Sequence, residues 1–292
     1  MSSVTDQAAN RANYCYRHPD RQSFILCQRC GRTICTECQT PAAVGVHCPE
    51  CVREQRAAYT ANRRASGAAS GLTVARRRFA MLDQKATVVI IAVSVVIWLL
   101  DQITGRFFTT WFAYYTPLVG TQPWRIVTGL FVHSSILHIA FNMFAVYIFG
   151  RILENLLGTW RFLALYFLAG LGGDVAVSFL TPGTPVVGAS GAIFGLFAAF
   201  FIIQRSLGYN AVQLLVVMGL NLLVGFLPGT NISWQAHVGG IVMGFLTGLV
   251  FARTRNVKQR GLQIGLLVAE AVVLLGAVAA AYVAIGGYGL LR

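Results

Sequence analysis

Polar and apolar positions split this chain into two unlike parts. Up to about residue 85 the sequence is polar, and from residue 86 onward long apolar runs alternate with short breaks. Seven runs can be drawn, at about 86–103, 134–152, 162–180, 188–205, 211–227, 235–253 and 262–286. Each is near the ~20 residues that carry a helix across a hydrocarbon core. The pattern predicts an all-α polytopic membrane protein. Small residues recur at four-residue spacing, as at Gly191 and Gly195 or Gly240 and Gly244, which predicts helix backbones in close approach.

Composition sharpens this picture. Only 11% of the 292 residues are charged, against about 25% in an average soluble chain. The net charge of +13 is uneven, because 12 of the 23 Lys and Arg lie in residues 1–78 and most others flank apolar runs. That placement favours anionic lipid and the positive-inside rule over nucleic acid. Arg76, Arg77, Arg78 and Lys85 precede the first run, Arg151 and Arg161 the third, and Arg205 the fifth. Arg253, Arg255, Lys258 and Arg260 precede the seventh. The alternate loops at 181–187 and 228–234 are uncharged, and the long 104–133 loop carries only Arg106 and Arg125 as basic residues. The rule then expects a cytosolic N-terminus and an extracytoplasmic C-terminus. Residues 1–30 lack the apolar core of a signal peptide, so the first run is expected to act as its own insertion signal.

Polar side chains at membrane depth are functional candidates by default. Ser190 begins the fourth run after GTPVVGA, a Gly- and Pro-containing lead expected to be non-helical. Such backbone is tolerated at depth only beside protein or a water-filled cavity. Ser190 is therefore either a helix-packing residue or a nucleophile. His237, at the outer end of the sixth run, is either a packing histidine or a general base. His138 and Asn142 are four apart on one helix face and serve either as interhelical hydrogen-bonding groups or as oxyanion donors. His133 is assigned a structural role. Asp174 in the third run and Glu270 in the seventh are rare at depth, and structural roles are expected for both. A hydrolase nucleophile elbow is excluded, because position 192 is Ala and no strand surrounds it.

In order along the chain, these pieces resemble a rhomboid intramembrane serine protease. They are Trp124-Arg125 in the first outer loop and the H-x-x-x-N of His138 and Asn142. Gly188-Ala189-Ser190-Gly191 follows, and Ala236-His237 with Gly240 and Gly244 completes the set. The resemblance covers residues 86–253, a rhomboid-like six-helix core, and leaves a seventh C-terminal transmembrane helix. It implies Ser190 as nucleophile and His237 as base of a dyad, without a required Asp and without a catalytic cofactor. It implies that Phe194 stacks on the histidine. It also implies an oxyanion hole of His138, Asn142 and the Ser190 backbone N–H. Gly188 would let the preceding loop lie close to substrate. The fifth helix and a cap loop near 228–234 would gate lateral access for transmembrane protein substrates.

The polar N-terminal part carries all seven cysteines. Cys15 and His18, Cys27 and Cys30, Cys35 and Cys38, and Cys48 and Cys51 form four ligand pairs, the number two tetrahedral zinc sites need. Metal-bound thiolates require a reducing compartment, which again expects a cytosolic N-terminus. The spacing resembles a B-box-type zinc finger, which implies interleaved sites: the first and third pairs on one structural zinc, the second and fourth on the other. His47 is an alternative to Cys48. The expected organisation is a zinc-stabilised domain at 1–54, a basic linker at 55–85, the core at 86–253, and a linker with the seventh helix at 254–292. The zinc domain is expected to be a cytosolic module for recognition of a protein partner or for dimerisation. Nucleic-acid binding ranks below it, because basic residues beside a membrane are expected anyway. The first alternative for the whole chain is a catalytically silent rhomboid-like protein that binds membrane clients in the lipid bilayer, followed by a channel or transporter using Asp174 and Glu270 and a membrane-tethered nucleic-acid binder. An Ala-, Val-, Gly- and Arg-rich, Lys-poor composition points to a bacterial plasma membrane.

Overall fold

The computed structural model describes residues 13–42, 45–67, 84–226 and 232–286. They fall into two compact units, divided between Met81 and Leu82. Arg76, Arg77 and Arg78 and most of the 228–234 loop lie outside the described residues.

The first unit is small. A two-stranded antiparallel hairpin pairs β1 (Thr40–Pro41) with β2 (Val46–His47). It leads into helix α1 (Pro49–Gly67), where Pro49 sits at the first helical position and its missing N–H costs nothing. The buried interior is made almost wholly of sulfur: Ile34 is packed among Cys15, Cys27, Cys35, Cys38, Cys48 and Cys51. A unit of this size buries too little apolar surface to be stable without a further tie.

The second unit is a bundle. Its helices are α2 (Lys85–Ile103), α3 (Ile136–Leu157), α4 (Thr159–Leu180), α5 (Ser190–Ser206), α6 (Val212–Val224), α7 (Trp234–Arg253) and α8 (Arg260–Ala284). Five of the described helices, α2, α3, α4, α7 and α8 with its leading turn, are long and apolar enough to cross a membrane. The chain is thus an all-α polytopic membrane protein, and among the described residues its β strands lie in the sulfur-rich unit. Helix α5 has 17 residues and α6 has 13, so at 1.5 Å per residue they extend about 26 Å and about 20 Å.

Two boundaries differ from the sequence expectation. The second helix runs on to Leu157 through a π-helical turn at Val146–Gly150, so Arg151 lies within a helix rather than in a turn. The apolar residues Ile152, Leu153, Leu156 and Leu157 continue the helix, and it stops at Gly158, whose φ is +80°. Helix α6 ends at Val224, before Gly225 and Phe226 of the 211–227 run.

Helices α4, α5 and α7 form the centre, and small residues permit it. A Cβ on Gly244 of α7 would coincide with the Gly195 backbone of α5, and one on Gly240 with the Gly191 carbonyl. Close approach replaces the hydrophobic drive that lipid cannot supply. Helix α8 packs against α4, where Arg161 Nε donates to Gln263 Oε1 at 2.6 Å. Thr247 Oγ1 of α7 donates to Glu270 Oε2 of α8 at 2.8 Å, which gives Glu270 a structural partner.

A carboxylate caps the first helix. Glu154, buried, accepts from the backbone N–H groups of Ala86 (3.0 Å) and Thr87 (2.9 Å) and from the hydroxyls of Thr87 (2.8 Å) and Thr159 (2.9 Å). The two amides are among the donors that a helix N-terminus leaves without intrahelical acceptors. Replacing Glu154 with Ala strands them in the interior, at about 1–3 kcal/mol for each unsatisfied group. Thermal unfolding of the E154A protein in detergent is expected to shift down sharply, and an unchanged midpoint would contradict this capping role.

Candidate active site

Ser190 and His237 arrive from different helices at one point. Residues 181–189 are not helical, as the sequence indicates, and an antiparallel bridge holds them. The Tyr114 N–H donates to the Val186 carbonyl at 2.9 Å and the Val186 N–H to the Tyr114 carbonyl at 2.8 Å. Gly188 donates to the Gly129 carbonyl at 2.9 Å and adopts φ +113°, a conformation that L side chains rarely take. A Cβ there would also stand 2.5 Å from His138 Nε2. Helix α5 then begins at Ser190, so its unpaired N–H groups and the positive end of its dipole lie beside the serine hydroxyl.

His237 sits in the first turn of α7, which the Ser233 hydroxyl caps by accepting from the Ala236 N–H at 3.4 Å. Its Nε2 lies 3.0 Å from Ser190 Oγ. The imidazole stacks on Phe194, with centroids 4.2 Å apart and planes 22° from parallel. Phe194 is one turn beyond Ser190 on α5, so a single helix presents both the hydroxyl and the surface that orients its partner. Nδ1 of His237 is buried and meets no hydrogen-bond partner among the described residues. Packing, not a carboxylate, therefore holds this ring.

His138 and Asn142 lie on α3. Ser135 caps that helix by accepting from the His138 N–H at 3.2 Å. His138 Nδ1 is 3.0 Å from Ser134 Oγ, and its ring meets the edge of buried His133, centroids 5.1 Å apart. Asn142 is buried, and its Nδ2 donates to the His138 carbonyl at 2.9 Å. Both residues border Gly188: Asn142 Nδ2 stands 3.7 Å from the Cβ that Gly188 lacks. Ser190, His237, His138, Asn142, Gly188 and Phe194 thus share one neighbourhood.

Trp124 and Arg125 stand further along the outer loop and act on its fold. Buried Arg125 donates to the Ala113 carbonyl (2.7 Å), the Thr110 carbonyl (2.8 Å) and Gln122 Oε1 (2.6 Å). Trp124 Nε1 donates to the Trp111 carbonyl at 3.2 Å. Arg106 donates to the Ser134 carbonyl at 2.8 Å and lies 3.8 Å from Asp101. Asp174 is buried and is not hydrogen-bonded to Ser190 or His237. Sequence reasoning missed Glu154, Asp101 and Ser134. The two acids fall near helix ends, where a charge looks ordinary, and their partners are remote or backbone amides.

In the first unit the ligand atoms of Cys15, His18, Cys35 and Cys38 lie within 4.8 Å of one another, as do those of Cys27, Cys30, Cys48 and Cys51. Cys48, and not His47, completes the second set. Either set could hold a metal ion. Burial pushes the Cys38 thiol up to about 11 and the Cys51 thiol up to about 12. The Arg32 backbone N–H and guanidinium bring Cys30 down to about 6. Thiols so crowded cannot all ionise unless a cation shares their charge, which fits a dication in each cluster. Some arginines of this unit lie beside acids: Arg21 with Glu37, Arg29 with Glu54, and both Arg17 and Arg53 with Glu50.

A serine–histidine pair beside hydrogen-bonding side chains and a non-helical loop, in a bundle of apolar helices, suggests a class of membrane protein, and comparison with known sequences names its family. Residues 120–254 match the Rhomboid domain family. The putative rhomboid protease YdcA of Bacillus subtilis (strain 168) is 30% identical over 177 residues, 57% of this chain and 88% of that protein. Rhomboid protease GluP of the same organism is 36% identical over 130 residues, 42% of this chain and 25% of its own. RHOMBOID-like protein 6, mitochondrial, of Arabidopsis thaliana is 33% identical over 138 residues, 45% of this chain and 44% of its own. The chain belongs to the rhomboid family. It spans less than half the length of the last two relatives.

Proposed function

We propose that this protein is an intramembrane serine endopeptidase that cuts transmembrane protein substrates in the bilayer. The observation that carries the reading is the 3.0 Å approach of His237 Nε2 to Ser190 Oγ with the imidazole stacked on Phe194. His237 takes the hydroxyl proton as Ser190 Oγ attacks the scissile carbonyl, and returns it to the leaving amine. The acyl-enzyme is then released by water. His138, Asn142 and the Ser190 N–H stabilise the oxyanion, assisted by the start of α5. Gly188 keeps the adjoining loop flush with the substrate strand, Trp124 and Arg125 hold the outer loop that pairs with it, and α6 borders the path from the lipid. Bilayer substrates must be unwound at the cut, since a helical peptide bond is screened by its own backbone.

The proposed organisation adds α8 as a seventh span to a core of six, with the N-terminus cytosolic and the C-terminus outside, in a bacterial plasma membrane. The orientation gains support from Arg125 and Arg106, the only basic residues of the long outer loop, since the fold itself uses both. The domain at 1–54 is read as a B-box-like zinc finger with two structural ions, joined by the basic linker at 55–85. The domain is read as a module for a cytosolic protein partner, because basic residues beside a membrane are expected without nucleic acid. Asp174 and Glu270 remain structural.

The test is proteolysis of a single-span substrate by the purified protein in liposomes. The wild type is expected to cut. The Asn142→Ala variant is expected to cut about 10²–10³ times more slowly, the usual cost of one oxyanion donor. A folded wild type that binds such substrates without cutting them would favour the client-binding alternative.

A further inference from the structure

The two sulfur clusters are chemically unequal. In the first, all three cysteines are buried, and the fourth group is an imidazole, with His18 Nδ1 between 3.3 and 3.8 Å from each sulfur. In the second, Cys30 is exposed while Cys27, Cys48 and Cys51 are buried. Cys30 is the exposed one of the seven cysteines. Its sulfur lies 3.7 Å from that of Cys48. One arginine spans both: Arg32 Nε donates to Cys30 Sγ at 3.3 Å and its Nη2 reaches Cys48 Sγ at 4.0 Å. The guanidinium is held in place over the Tyr16 ring, 4.5 Å from its centroid. Solvent access beside a positive charge is the environment of thiolates that meet a dissolved oxidant first, whereas buried cysteines are shielded from it and react only with a sulfur already in contact.

We propose that the Cys27–Cys30–Cys48–Cys51 cluster is a site of oxidative modification by a small peroxide, at which Cys30 and Cys48 close to a disulfide and the metal is given up, while the Cys15–His18–Cys35–Cys38 cluster keeps its own. The proposal rests on reading the clusters as metal centres. The Cys30 thiolate attacks one peroxide oxygen. The O–O bond breaks, Cys30 becomes a sulfenic acid and hydroxide leaves. The Cys48 thiolate then attacks the Cys30 sulfur, an S–S bond forms and a second hydroxide departs. The two thiolates lose two electrons, the peroxide gains them, and both hydroxides take up protons to become water. Arg32 holds the two sulfurs adjacent through both steps. Two cysteines remain as ligands, too few for a tetrahedral site.

The experiment uses the full chain in detergent. Bound zinc is counted first, hydrogen peroxide is added, release is followed with a chromogenic chelator, and disulfides are mapped by mass spectrometry. Two ions per chain are expected at the start, with one released about tenfold faster than the other, as the exposure of its thiolate dictates. The mapped bond should join Cys30 and Cys48. Arg32→Gln should keep both ions and slow the fast release, and Cys30→His, which preserves four ligands, should suppress it. Equal release of both ions, a disulfide among Cys15, Cys35 and Cys38, or wild-type release from both variants would overturn the proposal. Fewer than two ions before peroxide would refute the metal reading itself, and the proposal with it, and the initial count separates that failure from failure of the oxidation.

Discussion

Replacing Ser190 with alanine is expected to lower the cleavage rate by about 10⁴–10⁶-fold, the scale at which serine proteases lose activity with their nucleophile. The fold should be untouched. Among the described residues Ser190 Oγ has one side-chain partner, His237, and the serine opens α5 rather than filling the centre of the bundle. Alanine also suits the first turn of a helix. The S190A protein is therefore expected to unfold at the wild-type temperature while leaving substrate uncut. Removing the imidazole should cost a similar factor, and the double variant should cost no more than either single change, because the two groups act as one unit. Multiplied losses would mean that Ser190 and His237 contribute separately and that the 3.0 Å contact is not the reacting pair.

Gly244→Val is expected to have the largest effect on the scaffold. The side chain would have to occupy space already taken by the Gly195 backbone, and a backbone cannot swing aside as a flexible side chain can. Helices α5 and α7 must then separate, at a cost of about 3 kcal/mol or more, the upper range for overpacking. The same two helices carry Ser190 and His237, so separation also lengthens their contact. Loss of activity together with a lowered unfolding temperature is the expected pair of results in detergent. Wild-type stability in the G244V protein would show that the two backbones are not in contact there. Ser190→Ala and Gly244→Val thus divide chemistry from architecture: both abolish cutting, and only the second loosens the bundle.

The bundle and much of its candidate site were legible in the sequence for physical reasons. Apolar runs near bilayer length leave little choice of structure, and the spacing of Gly240 and Gly244 announces a close helix contact. Ser190, His237, His138 and Asn142 stood out because a polar group at membrane depth needs a reason to be there. The pairing of the candidate metal ligands came from resemblance, and the Cys and His side chains cluster with that same pairing. Other features carried no local signal. Glu154 reads as an ordinary helix-end charge, and its role depends on amides nearly seventy positions earlier. The π-helical turn at Val146–Gly150 and the bridge between Tyr114 and Val186 likewise depend on tertiary neighbours. The inequality of the two clusters is invisible in the ligand spacing, since exposure of Cys30 follows from how its loop folds.

The most direct measurement is mass-spectrometric location of the adduct formed by a serine-reactive fluorophosphonate on the purified protein. The account predicts a single adduct on Ser190 in the wild type, and none in the His237→Ala protein, whose serine has lost its base. An adduct on another serine, or on Ser190 with equal yield in the absence of His237, would contradict the claim that these two side chains form the reacting pair.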